Sequence, residues 1–193
     1  METVKVKTGL VLVDIQNDYF PGGSMELVSM GAAADTAAGV LKEFRQHKSP
    51  VYHIQHVSTR PGATFFVPGT EGMETHASVA PMDGESLIQK NFPNSFRDTS
   101  LLETIRGDGV EHLVICGAMT HMCIDATTRA AFDHGFSCTV VSDACATRDL
   151  QFEGKTVSAT DVHAAFMAAL AVPYASVVTA KDLATQLASG GIS

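Results

Sequence analysis

Hydrophobic and polar positions along the chain switch between two periods. Short apolar runs, GLVLVDIQ, PVYHIQHV, LIQK, EHLVICGAM and CTVVSDA, alternate with longer stretches of helical spacing, GAAADTAAGVLKEFRQH, TSLLETIRGDG and CIDATTRAAFDHG. The strand runs are almost wholly apolar, the pattern of strands covered on both faces by helices. This repeat predicts an α/β fold, a three-layer α/β/α arrangement around a doubly wound parallel sheet, Rossmann-like in its alternation. Helix formers predict a helix over Asp35–Lys48, and a second over Thr160–Leu170 places Val162, Ala165, Phe166 and Ala169 on a core-facing stripe.

Between Ser58 and Gly84 periodicity fades and prolines and glycines accumulate: Pro61, Gly62, Pro68, Gly69, Gly72 and Pro81. Long segments of this kind are functional or disordered, and the pair Phe65-Phe66 argues for order, as a lid or a subunit contact. No internal repeat or linker divides the chain, so residues 1–193 form one domain. A domain of this size buries about 70% of the surface its unfolded chain exposes.

Composition narrows the function. A hydrophobic fraction of 45% and a charged fraction of 18% describe a soluble globular protein. The net charge of −8, with Lys and Arg scattered, offers no basic stripe for nucleic acid and gives only slight preference to a cationic substrate. METVKVKTGLVLVD lacks the features of a signal peptide, so the expected compartment is cytoplasmic. The richest apolar stretch, Ala164 to Val178, is broken by Pro173 and Tyr174 and falls short of the ~20 residues that span a bilayer. Cys116, Cys123, Cys138 and Cys145 form no CxxC pair and read as free thiols of a reducing compartment.

In open α/β sheets ligands bind at the carboxyl ends of the strands. Asp14 ends LVLVD, Lys90 ends LIQK, and Cys123 follows LVICGAMTH at the start of a helix. Each has a plain reading alone, as a turn cap, a solvated strand end and a small buried hydrophobe. Together they supply what thiol chemistry needs, a base and a cation beside the sulfur.

Three ordered motifs, LVLVDIQNDYFPGGSM, QKNFPNSFRDTSLLETI and GAMTHMCIDATTRAAFDHGF, followed by VVSDACATRD, resemble those of the isochorismatase-like cysteine hydrolases, which include nicotinamidases and related amidases. The resemblance runs from Thr8 to about Leu183. It implies a six-stranded parallel sheet, a triad of Asp14, Lys90 and Cys123, and a cis peptide between Ala118 and Met119 that turns the Met119 amide toward the reaction centre. It also implies thioester chemistry on a small-molecule amide or lactam. Asp14 would take the thiol proton, Lys90 and the helix N-terminus would favour the thiolate, and the Met119 and Cys123 N–H groups would hold the oxyanion. No cofactor is expected. The loop HVSTRPGATFFVPGTEG looks like that of the metal-free amidases of the family, including streptothricin hydrolase.

Nicotinamidases hold a metal through an Asp-x-His motif, and VYHIQHVSTRPG lacks it. His53, His56 and His76 are a conceivable alternative set, but alternate strand side chains face opposite ways, so no metal is expected. His56 reads instead as pocket lining, together with Gln16, Phe20, Phe96 and His121; for Phe20 and Phe96 plain core is an equal alternative. His121, two residues from Cys123, does not face it on a helix and is not expected to be the base. Vinyl ether hydrolysis, as in true isochorismatases, and a catalytically idle binding role are the alternatives. A homo-oligomer is expected, with Phe65, Phe66 and Met73 at the contact.

Overall fold

A computed structural model describes residues 6–189; the extreme ends of the segment read for a leader and of the single-domain span lie outside them. Five strands fall where apolar runs were read: β1 (Thr8–Val13), β2 (Val51–His56), β3 (Ser86–Lys90), β4 (His112–Ala118) and β5 (Ser137–Ala146). Beyond them come a small hairpin of β6 (Leu150–Phe152) and β7 (Lys155–Val157), and a short β8 (Ser176–Val178). The main sheet has six parallel strands in the order β3-β2-β1-β4-β5-β8, the doubly wound topology the alternation implied. β1 and β4 lie at its centre and carry the driest residues, Leu10, Val11 and Val13 on one and Leu113 to Cys116 on the other, each fully buried.

Helices α1 (Met30–Gln46) and α5 (Ala180–Ala188) pack together on one face, while α3 (Asp125–Asp133) and α4 (Ala159–Leu170) pack together on the other; α2 (Leu101–Gly107) links β3 to β4. α1 begins earlier than the helix formers suggested. Met30, Ala33, Ala34, Ala37, Val40, Leu41 and Phe44 make a buried stripe at i, i+3, i+4 spacing, and burial of that stripe draws Met30 to Ala34 into the helix. On α4 the core stripe is displaced from the predicted one: Val162, Met167 and Leu170 are buried, whereas Ala165 and Ala169 face outward. No helix among the described residues is long and apolar enough to cross a membrane.

The crossing point of the winding lies between β1 and β4, the place in such sheets where ligands bind at the carboxyl edge. Gly117 makes the close pairing there possible. It has a φ of +126°, and a Cβ built on it would lie 2.0 Å from the Val13 carbonyl oxygen, so only glycine fits beside the end of β1.

Candidate active site

Four neighbouring strands deliver their carboxyl ends to one place. Asp14 is the first residue past β1, in the left-handed region with φ of +52°, and its N–H donates to the Ile54 carbonyl. His56 and Lys90 are in register as the last residues of β2 and β3. Past β4 the chain crosses a cis Ala118–Met119 peptide, the position the resemblance assigned, and enters a π-helical turn over Thr120–Ile124 that carries Cys123.

Lys90 Nζ sits among the other three side chains, 2.7 Å from Asp14 Oδ2, 3.1 Å from His56 Nδ1 and 3.3 Å from Cys123 Sγ. An ammonium has three protons, so this set satisfies it. Asp14 is 0% exposed, Lys90 1% and Cys123 3%, so the cluster is screened from bulk water. Asp14 Oδ1 is buried with no hydrogen-bond partner among the described residues. A carboxylate oxygen of Asp14 lies within 4.8 Å of the Cys123 sulfur.

Burial and the facing Asp14 carboxylate push the Cys123 thiol above its ordinary value, against the opposing pull of Lys90. Burial and Asp14 thus favour the thiol form of the resting sulfur, while Lys90 pulls toward the thiolate. Burial also opposes the Lys90 charge, but Asp14 and Cys123 together outweigh it and raise the ammonium. Burial first and Lys90 second lower His56 to about 4, so its imidazole is neutral and Nδ1 accepts from Lys90.

The remaining expected pocket residues divide. Gln16 hydrogen-bonds within the protein. It is fully buried, with Oε1 accepting from the His56 N–H at 2.7 Å and Nε2 donating to the His56 and Met73 carbonyls at 2.9 and 2.6 Å. Its role is to clamp the end of β2 and the long segment. Phe96 is core, packed 5.1 Å from the His134 ring and 6.3 Å from Phe136. Phe20 stacks on His76 at 3.6 Å. His121 turns to the Thr147 hydroxyl at 2.6 Å, beside the π-helical turn.

In the segment Ser58–Gly84, Phe66 and Met73 are buried within the protein and Phe65 is half-buried. Asp18, missed in the sequence, pins the segment: Oδ2 accepts from the Phe66 N–H at 2.6 Å and Oδ1 from the Ser24 N–H at 3.2 Å. Tyr19, also missed, meets Phe66 edge-on at 4.7 Å, and Phe66 lies 5.8 Å from the His56 ring, so Tyr19, Phe66 and His56 form a continuous aromatic wall beside the cluster. Burial, then Cys123 and Asp14, hold the Tyr19 phenol well above its usual range, and it stays neutral.

The histidines do not gather around one point. His53 Nε2 meets Glu85 at 2.8 Å, His76 Nδ1 meets the Ser78 hydroxyl at 2.8 Å, and His56 meets Lys90. Asp14, His56 and Cys123 do bring three ligand-type atoms within 4.8 Å of one another. The Lys90 ammonium already stands within 3.3 Å of each of them, however, and a metal cation would have to displace it. The residues present therefore do not fit the nicotinamidase-type metal.

Fold and cluster together define a doubly wound α/β protein with a buried carboxylate, ammonium and thiol at its switch point. Comparison with known proteins carries this further: the isochorismatase domain matches residues 8–182, and the chain belongs to that family, whose members are hydrolases. It is 52% identical over 172 residues to the isochorismatase family protein YddQ of Bacillus subtilis, covering 89% of this chain and 96% of that one. The crystal structure of an isochorismatase hydrolase homologue from Oleispira antarctica superposes with a TM-score of 0.90 at 50% identity, over 96% of this chain and 99% of the other. Streptothricin hydrolase from Streptomyces noursei is 33% identical over 141 residues, 73% of this chain but 50% of that protein. Further relatives include amidohydrolases named for maleamate and ureidoacrylate.

Proposed function

We propose that the protein hydrolyses a C–N bond of a small-molecule amide or lactam through a thioester on Cys123. The observation that carries this reading is the position of Lys90 Nζ, bonded at once to Asp14 Oδ2 and Cys123 Sγ while Asp14 Oδ1 has no partner among the described residues. A carboxylate with a free, buried lone pair beside a protonated thiol is a general base waiting for an electrophile. The relatives named as amidohydrolases support the choice of C–N over ether cleavage.

In this mechanism the Cys123 proton passes to Asp14 as sulfur attacks the carbonyl carbon, forming the C–S bond. Lys90 stabilises the negative charge that the sulfur would otherwise carry alone. The backbone N–H groups of Met119 and Cys123 hold the oxyanion, each such donor lowering the barrier by about 3 kcal/mol. Collapse breaks the C–N bond, and the proton on Asp14 goes to the leaving nitrogen. Water then gives a proton to Asp14 and attacks the thioester; breakdown releases the acid, and Asp14 returns the proton to sulfur. The aromatic wall of Tyr19, Phe66 and His56 supplies the apolar side of the substrate pocket.

The test is an amide and lactam panel run with rapid quench and peptide mapping by mass. The expected result is an acyl adduct confined to Cys123 and loss of turnover in Cys123→Ala. Turnover that survives in Cys123→Ala would remove the covalent mechanism.

A further inference from the structure

We propose that His163 on α4 is a positioning residue: through the Thr120 hydroxyl it holds the π-helical turn that presents Cys123 to Asp14 and Lys90. The role assigned to Cys123 rests on the hydrolase reading above; the geometry of the turn does not.

Thr120 is the first residue of the turn and is 0% exposed. Its Oγ1 lies 3.3 Å from the Ala146 carbonyl oxygen, at the end of β5, and 3.0 Å from His163 Nδ1. A hydroxyl has one proton, and a carbonyl only accepts. With that proton given to Ala146, the second contact is completed by His163 donating from Nδ1. A relay of one imidazole, one hydroxyl and one carbonyl therefore joins α4, the turn and β5.

The turn has weak means of holding itself. Met122 and Ile124 both donate to the Met119 carbonyl, at 3.0 and 3.1 Å, and the following Asp125 N–H is shared between the Thr120 and Met122 carbonyls. This is not the regular ladder of an α-helix, and single π-turns persist where other contacts impose them. Relaxation toward α-helical spacing would rotate Cys123 and open its 3.3 Å contact with Lys90. His163 itself lies beside the buried face of α4, next to Val162 and one turn from Met167, where an imidazole without a partner would carry a desolvation penalty. It touches none of Asp14, Lys90 or Cys123, so its action passes through Thr120.

Release of the turn would expose the sulfur and part it from the groups that set its reactivity. The experiment measures the second-order rate of iodoacetamide alkylation at Cys123, by intact mass and peptide mapping at mildly alkaline pH, with the thermal midpoint taken alongside. His163→Leu and Thr120→Val are each expected to speed Cys123 alkylation by about tenfold or more, as the sulfur leaves its burial and the Asp14 carboxylate, and the double variant no further, the signature of one shared contact. His163→Asn places a donor near the position of Nδ1 and is expected to stay within about threefold of the parent. Equal rates in His163→Leu and the parent, or equal acceleration by Leu and Asn, would overturn the proposal. A parent whose Cys123 reacts no faster than Cys116 would instead count against the hydrolase reading, while the ratio of variant to parent at Cys123 still decides the role of His163.

Discussion

Replacement of Lys90 by Met tests the electrostatic centre of the site. The Lys90 and Asp14 side chains are each 0% exposed and meet at 2.7 Å, so Lys90→Met keeps the apolar stem but leaves a carboxylate buried without its cation. Removing one partner of a buried pair costs about 3–5 kcal/mol. For a domain of this length each kcal/mol lowers the midpoint by about 2–4 °C, so the expected drop is about 6–20 °C. Asp14→Asn with Lys90→Met removes both charges and should recover to within about 1–2 kcal/mol of the parent. The sign with pH follows from linkage. A deficit that comes from an unpaired buried charge is expected to shrink as the pH falls from neutral toward the carboxylate range. Urea denaturation of the three proteins across pH measures this directly. A single variant within about 1 kcal/mol of the parent, or a deficit independent of pH, would refute a charged, desolvated pair.

Three further outcomes follow from the same geometry. Asp14→Asn removes the anion that helps hold the Cys123 proton, so alkylation of Cys123 at fixed neutral pH should accelerate while amide turnover falls by about 10²–10⁴-fold; slower alkylation would show that the carboxylate does not raise the thiol. Gly117→Ala drives a Cβ into the Val13 carbonyl at a φ of +126°, and a loss of about 3 kcal/mol or more is expected in urea; a stable, active variant would contradict the close approach of β4 to β1. Burial opposes ionisation of Glu85, but Arg45, the Met82 N–H and His53 overcome it and lower Glu85 to about 2. Its depressed value means the contribution is present above the unfolded carboxyl range and lost as pH falls through about 2. Glu85→Gln should therefore flatten the acid limb of stability by on the order of 1–2 kcal/mol after allowance for solvent screening, read by urea midpoints from neutral to acid pH.

The strands, their parallel arrangement and the cluster residues Asp14, Lys90 and Cys123 were legible because each reactive residue stands just beyond an apolar run. His56 was legible for the same reason. The hydrogen bonds of Gln16 were not legible because its partners, His56 and Met73, are 40 and 57 residues away, and spacing says nothing about contacts at that range. The anchor of the Ser58–Gly84 segment, whose order Phe65-Phe66 had suggested, stayed hidden for the same reason, since it is Asp18 on a different segment. β6, β7 and β8 have three residues each, too few for a period to show. His163 had a signal that went unused: a lone imidazole beside the apolar face of an amphipathic helix needs a partner.

The protonated, buried state of Cys123 bears on how the protein survives between substrates. Oxidation by peroxide begins at an exposed thiolate and runs through sulfenic acid to irreversible products. With 3% of its surface exposed and its proton retained by burial and by Asp14, Cys123 offers such an oxidant little to attack. The carboxylate proposed as the base is thus also one of the groups that shield the sulfur, and the Lys90→Met and Asp14→Asn proteins should differ in how quickly they lose their thiol to air.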